Sequence, residues 1–218
     1  HRMAENGFAV IAYDQCGFGL RLLEGSVFYE RHPRWSRLGR MVMDARDAVS
    51  FAVEGKGATS GAIPELDEDR VFLLGYSTGA LTAMYAGALD DRLAGVACFS
   101  GWTPLRDATK ANATGGNRRL WELHALQPRL GWFDGREGDI PFDYHDVLGQ
   151  VLPKPCLIVT PKRDRFADHS AITEAIKQLR LAKPKQAEAA LTWQSPDDTN
   201  RFQADQHQQF INWTKSLR

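Results

Sequence analysis

The 218-residue chain has no surplus of either charge and no long apolar run. Lysine and arginine total 27, and aspartate and glutamate also total 27, so no overall field favours nucleic acid or an anionic membrane. The apolar runs are too short to span a bilayer. We therefore expect neither a nucleic-acid partner nor a membrane partner. The hydrophobic fraction of 43% is ordinary for a soluble globular protein.

Cysteine is also scarce. Three cysteines, Cys16, Cys98 and Cys156, lie in or beside apolar runs, and an odd number of buried thiols argues against a disulfide framework. Their spacing matches no metal site, and no motif requires a cofactor. The chain begins with His1 in the middle of a pattern, so the compartment and the oligomeric state stay open, and a signal peptide upstream is compatible with the sequence.

The most informative stretch runs from residue 71 to residue 86. Residues 71–74 are apolar and uncharged, which predicts a buried strand of a parallel sheet. A G-x-S-x-G motif follows at residues 75–79, and small apolar residues then continue at helical spacing. This strand-to-helix context predicts a sharp turn that exposes Ser77 as a nucleophile. The alternative is that Ser77 only caps the helix.

The same motif makes two local predictions. A side chain at Gly75 or Gly79 is expected to crowd the turn. The first N–H groups of the following helix have no partner within it, so the backbone N–H of Thr78 is expected to stabilise a developing negative charge.

Strand and helix patterns alternate along the chain. This predicts an α/β fold, a doubly wound and mostly parallel sheet with helices on both faces. The expected strands are 8–13, 71–74, 93–100, 156–160 and 189–193. The expected helices include 38–53, 145–151, 170–181 and 203–217. The expected loops are 21–35 and 55–64. We expect one domain over residues 1–218, with a lid-like insertion at about 101–144.

Three segments carry a family resemblance. The D-x-x-G-x-G turn at residues 14–19, the elbow at 75–79, and the strand at 155–159 followed by Asp164 together resemble the α/β-hydrolase superfamily. Within it, they look like the dienelactone hydrolase and acetyl xylan esterase branch. In that family, earlier strands and a loop with the second oxyanion donor precede this point, so the N-terminal strands are apparently missing here. The resemblance implies carboxylic ester substrates, including acyl esters of carbohydrates.

The resemblance also implies an order of catalytic residues, with serine first, then an acid, then histidine. Asp164 is the expected acid, and Asp168 is the alternative, although Asp168 is also placed to cap the next helix. The loop at 194–202 contains no histidine, so His207 is the expected base. His124 and His145 are the alternative bases. If Asn200 occupies the histidine position, the site has no base there, because an amide cannot accept the proton.

The insertion is expected to wall the substrate pocket, as long excursions in compact domains often do. The expected substrate-binding residues are Trp102, Arg118, Trp121 and His124, and Arg119 and Trp132 are further candidates. The alternative for Trp121 and Trp132 is a local mini-core that holds the insertion down.

Three functions are therefore compatible with the sequence. The first is a serine hydrolase that cleaves carboxylic esters through an acyl-enzyme on Ser77, with a small-molecule or carbohydrate ester as substrate. The second is a hydrolase-like binding or scaffold protein without a properly placed histidine. The third is a peptidase of the same fold.

Overall fold

A four-stranded sheet forms the centre of the structure. The structure is a computed structural model and describes residues 1–54, 66–107 and 115–217. The strands are β1 (Phe72–Tyr76), β2 (Gly95–Phe99), β3 (Cys156–Val159) and β4 (Leu191–Gln194). All neighbouring strands are parallel and follow the order β1-β2-β3-β4. The predicted parallel α/β sheet is therefore confirmed.

Helices connect the strands. Their bounds are α1 (Leu22–Ser26), α2 (Phe28–Arg31), α3 (Arg37–Glu54), α4 (Thr78–Leu89), α5 (Gly116–Arg118), α6 (Tyr144–Val151), α7 (His169–Ala182), α8 (Pro184–Ala190) and α9 (Ala204–Ser216), and a π-helix spans Arg119–Leu123. None of the helices in the described ranges is long and apolar enough to cross a membrane.

The two faces of the sheet pack against different helices. Successive strand residues point to opposite faces, so Val96 and Cys98 pack with the cluster that includes α3, α4, α6 and α7. Ala97 and Phe99 instead pack with Phe210 of α9. The sheet is thus covered on both sides, as the doubly wound prediction requires.

The predicted strand at 8–13 is wrong. These residues have no regular structure, and Val10 and Ile11 are 52% and 48% exposed. Within the described ranges, β1 pairs only with β2, so this segment has no neighbouring strand with which to form a ladder. An apolar run forms a strand only where a partner satisfies its backbone N–H and C=O groups.

The predicted loop at 21–35 is also wrong, because α1 and α2 form there. Contacts distant in sequence hold them, among them Arg21 to Asp44 at 2.6 Å and the Tyr29 hydroxyl to the Ala125 carbonyl at 2.5 Å. The last strand begins at Leu191 rather than at residue 189, because α8 occupies the preceding residues. The predicted loop at 55–64 lies outside the described residues.

Candidate active site

Ser77 occupies a strained turn between β1 and α4. Its backbone has φ 54° and ψ −118°, a conformation that residues other than glycine rarely adopt and that costs roughly 1–3 kcal/mol. The side chain makes no capping hydrogen bond to α4. Its Oγ instead accepts a hydrogen bond from Nη2 of Arg119 at 3.2 Å. Ser77 therefore has the geometry of a nucleophile elbow rather than that of a simple helix cap.

The turn is tight because backbone atoms approach each other at two glycines. A Cβ at Gly75 would lie 2.0 Å from the Gly79 carbonyl oxygen, and one at Gly101 would lie 2.1 Å from the Ser77 carbonyl oxygen. At Gly79, the nearest atom to an added Cβ is Nε2 of Gln15 at 4.0 Å. The crowding predicted at Gly75 is thus confirmed, and the crowding predicted at Gly79 is wrong.

Arg119 delivers a buried cation to this turn. It begins the π-helix of the insertion and is only 8% exposed. Its guanidinium lies over the ring of Phe166, 5.4 Å from the centroid. Burial lowers the pKa of Arg119, and the negative charge of Asp164 acts in the opposite direction. A guanidinium stays protonated even when its pKa falls, so a positive charge adjoins the Ser77 hydroxyl.

Asp164 lies buried in the loop after β3, and its partner is Asn200. One carboxylate oxygen accepts from the backbone N–H of Phe166 at 3.0 Å, and the other accepts from Nδ2 of Asn200 at 2.9 Å. The carbonyl oxygen of the Asn200 side chain is buried without a partner in the described structure. Asp168 caps α7 by accepting from the backbone N–H groups of Ser170 and Ala171.

His207 lies in the first half of α9 and contacts an aromatic ring. Its imidazole is 4.6 Å from the centroid of Phe202, and Phe202 in turn stacks on Tyr76, the residue before Ser77, at 5.4 Å. Nothing in the described structure hydrogen-bonds any imidazole to Ser77 or Asp164. In the structure, the hydrogen-bond partner of Ser77 is Arg119, and the side-chain partner of Asp164 is Asn200.

The other histidines face different neighbours. Nε2 of His145 lies 3.7 Å from the carboxylate of Asp146, and Nε2 of His169 lies 2.5 Å from Oγ of Ser195. Burial, followed by the charges of Arg119 and Arg37, lowers the pKa of His124. A lowered pKa keeps the His124 imidazole neutral at physiological pH.

The predicted pocket residues differ in exposure. Trp102 is 2% exposed and packs against Tyr144, with ring centroids 5.4 Å apart. Arg118 pairs with Glu122 and Asp134, each at 3.4 Å. Trp121 is half-buried against the core, whereas Trp132 is 79% exposed. The mini-core interpretation therefore fits Trp121 and does not fit Trp132.

A separate groove of about 940 Å³ lies along α9. Its walls include Ser100, Gln194, Gln209 and Asn212, but neither Ser77 nor Asp164. This groove is distinct from the candidate active site. No cluster of three or more acidic, histidine or cysteine side chains in the described ranges could hold a metal ion.

The parallel sheet and the serine elbow define an α/β-hydrolase. Residues 1–150 match the family model described as "Serine aminopeptidase, S33". This match covers more than half of the chain, so the chain belongs to that α/β-hydrolase family. The superfamily predicted from the sequence is confirmed.

Similar proteins include carbohydrate esterases. Carbohydrate esterase MZ0003, from an unknown prokaryotic organism, is 26% identical in a 119-residue alignment that covers 48% of this chain and 24% of that protein. A CE15 glucuronoyl esterase from Caldicellulosiruptor kristjansonii has a TM-score of 0.69 at 20% identity, over 87% of this chain and 54% of that one. A promiscuous CE15 esterase from a marine bacterial metagenome has a TM-score of 0.70 at 16% identity, over 84% and 49%. The chain thus spans about half the length of these solved structures, which share its fold.

Proposed function

We propose that this chain is a carboxylic ester hydrolase that acts on esters of carbohydrates, with Ser77 as the nucleophile. The observation that carries the proposal is the elbow, which holds the Ser77 hydroxyl between the N-terminus of α4 and the buried cation of Arg119. The similarity to carbohydrate esterases supports the substrate class.

The proposed reaction has two halves. In the first, Oγ of Ser77 bonds to the ester carbonyl carbon, its proton passes to an imidazole, and the alcohol leaves with that proton. In the second, water attacks the acyl-enzyme, gives a proton to the same imidazole, and releases the acid and the Ser77 hydroxyl. The backbone N–H of Thr78 faces the oxyanion in both halves, and such a donor typically contributes ~10²–10³ in rate.

His207 remains the proposed base, and this role requires a movement of the loop before α9. Asn200 holds the carboxylate of Asp164 in the structure, and the His207 ring rests on Phe202. A carboxylate can accept about four hydrogen bonds, so Asp164 retains the capacity to bind an imidazole that approaches it.

The test is turnover of p-nitrophenyl acetate and labelling by a fluorophosphonate. The wild type should show both, and Ser77→Ala should abolish both. His207→Ala should abolish turnover, whereas the control His32→Ala, at an exposed histidine, should leave it unchanged. A wild type with neither turnover nor labelling refutes the proposal. Retained activity in His207→Ala reassigns the base to His124 or His145.

The Asn200–Asp164 hydrogen bond favours a second function, a hydrolase-like binding protein without a base. In this case, Asn200→His should create turnover, because Nδ1 of the new imidazole takes the place of the amide nitrogen. A positioned base contributes typically 10²–10⁴ in rate, so the gain should be about that large. The Ser77→Ala/Asn200→His double variant is the control and should be inactive. An active wild type excludes this second function.

The peptidase alternative concerns the same serine, because an elbow does not distinguish esters from amides. The family name describes aminopeptidases. Hydrolysis of an aminoacyl p-nitroanilide by the wild type, and its loss in Ser77→Ala, would assign peptidase activity. Turnover of esters alone would exclude it.

A further inference from the structure

Arg119 combines burial, positive charge and contact with the proposed nucleophile. It is 8% exposed, and its Nη2 donates to Oγ of Ser77 at 3.2 Å. Among the described residues, no ion pair joins Arg119 to a carboxylate, whereas the adjacent Arg118 pairs with Glu122 and Asp134. A buried guanidinium without a close anionic partner is costly. The two neighbouring arginines thus have opposite environments.

The surroundings of Arg119 also favour an anion. Ser77 precedes the first residue of α4, a 12-residue helix whose first N–H groups have no partner within the helix. Helix N-termini attract negative charge. The Phe166 ring on one side of the guanidinium leaves its planar edge as the donor surface, which matches the two oxygens of a carboxylate.

We propose that Arg119, the Ser77 hydroxyl and the N-terminus of α4 form a binding site for a monocarboxylate. The carboxylate site rests on the proposed function, because ester hydrolysis would release a carboxylic acid at Ser77. The same guanidinium then supplies the second oxyanion donor, beside the backbone N–H of Thr78. Arg119 comes from the insertion, 42 residues after Ser77 in sequence.

The binding test measures the affinity of the protein for two probes, acetate and glucuronate, and for acetamide as the neutral control. Calorimetry or NMR titration gives the dissociation constants. The wild type should bind both carboxylates and not acetamide. Arg119→Met should weaken carboxylate binding about 10- to 100-fold, the usual range for loss of a charged hydrogen bond. Arg119→Lys should retain part of the affinity, and Arg136→Met, at an exposed arginine of the same insertion, should change little. Equal binding by Arg119→Met and the wild type overturns the site, and equal binding of sulfate overturns the carboxylate assignment.

The kinetic test separates this site from the proposed function. In an active enzyme, Arg119→Met should lower kcat by ~10²–10³ with little change in KM, because the oxyanion exists only in the transition state. Unchanged kcat in Arg119→Met contradicts the oxyanion role and leaves the hydrolase intact. Arg119-dependent carboxylate binding in a protein without turnover contradicts the hydrolase and leaves the carboxylate site intact. Unfolding curves for Arg119→Met and Arg119→Lys show whether either change acts through stability.

Discussion

The two glycines of the elbow should respond in opposite ways to alanine. A Cβ at Gly75 would lie 2.0 Å from the carbonyl oxygen of Gly79, 2.3 Å from its carbonyl carbon and 2.6 Å from the nitrogen of Ala80. All three are backbone atoms, so a rotamer change cannot relieve the overlap. The first turn of α4 must move away from β1. At Gly79, by contrast, the nearest atom to the added Cβ is 4.0 Å away and belongs to the end of a flexible side chain.

The expected magnitudes follow from these distances. Overpacking a tightly packed site typically costs about 1–3 kcal/mol, and the Gly75 overlap is with backbone, so we expect Gly75→Ala to lose about 3 kcal/mol of unfolding free energy. For a domain of this size, this loss lowers Tm by about 6–12 °C. Gly79 lies in the first turn of α4, where alanine is favoured over glycine by up to ~1 kcal/mol, so Gly79→Ala should be neutral or stabilising.

Urea unfolding of the wild type and both variants, followed by circular dichroism, measures the two changes. Because Gly75→Ala displaces the turn that carries Ser77, it should also reduce fluorophosphonate labelling, whereas Gly79→Ala should label normally. If Gly75→Ala is as stable as the wild type, the close approach of β1 and α4 is wrong. If Gly79→Ala loses as much stability as Gly75→Ala, the conclusion that Gly79 has room for a Cβ atom is wrong.

Two further predictions concern stability. Asp168→Ala removes the side-chain cap of α7 and should lower the free energy of unfolding by about 1 kcal/mol. The control Glu174→Ala, in the same helix, should change the stability little. Equal urea midpoints for the two variants would contradict the cap. Hydrogen bonds from Arg92 lower the pKa of the buried Asp90, so Asp90→Asn should destabilise the protein by about 1–3 kcal/mol at pH 7. Because the folded pKa lies below the unfolded value of about 3.9, this contribution is present above that pH and is lost as pH falls through the folded pKa. Unfolding curves of the wild type and Asp90→Asn should therefore converge in acid, and a gap that stays constant down to about pH 2 would refute the assignment.

The sequence predicts most of the fold where local pattern and tertiary structure agree. Strands β2 and β3 are buried apolar runs, β1 is an apolar run that is mostly half-buried, and α3 and α7 are amphipathic. The positions of these elements follow from the sequence pattern within a few residues. The segment at 8–13 has the composition of a strand, but composition does not show whether a pairing partner lies beside it. Helices α1 and α2 depend on contacts such as Arg21 to Asp44, which join residues far apart in the sequence.

In the candidate site too, some residues can be found from the local sequence and others only from tertiary contacts. Ser77 follows from a motif whose strand, turn and helix are contiguous, so sequence alone is sufficient to find it. In the sequence, Arg119 is one of several cationic and aromatic residues of the insertion, and no local pattern distinguishes it from Arg118. The distinction is tertiary, since Arg118 has acidic partners and Arg119 reaches Ser77.

Anion binding and proton transfer are separable at this site. In the proposed site, Ser77, Arg119 and the N-terminus of α4 stabilise negative charge with no base present, because toward an anion they offer hydrogen-bond donors and a fixed positive charge. Hydrolysis also needs a group that accepts the Ser77 proton, and the amide of Asn200 next to Asp164 cannot accept it. Under the proposed function, such a protein can therefore keep a carboxylate ligand while its turnover depends on an imidazole, proposed to be that of His207, reaching the site. Asn200→His changes the proton acceptor and Arg119→Met changes the anion site, but Asp164 bonds to Asn200 and its charge acts on Arg119, so the double variant should depart from additivity.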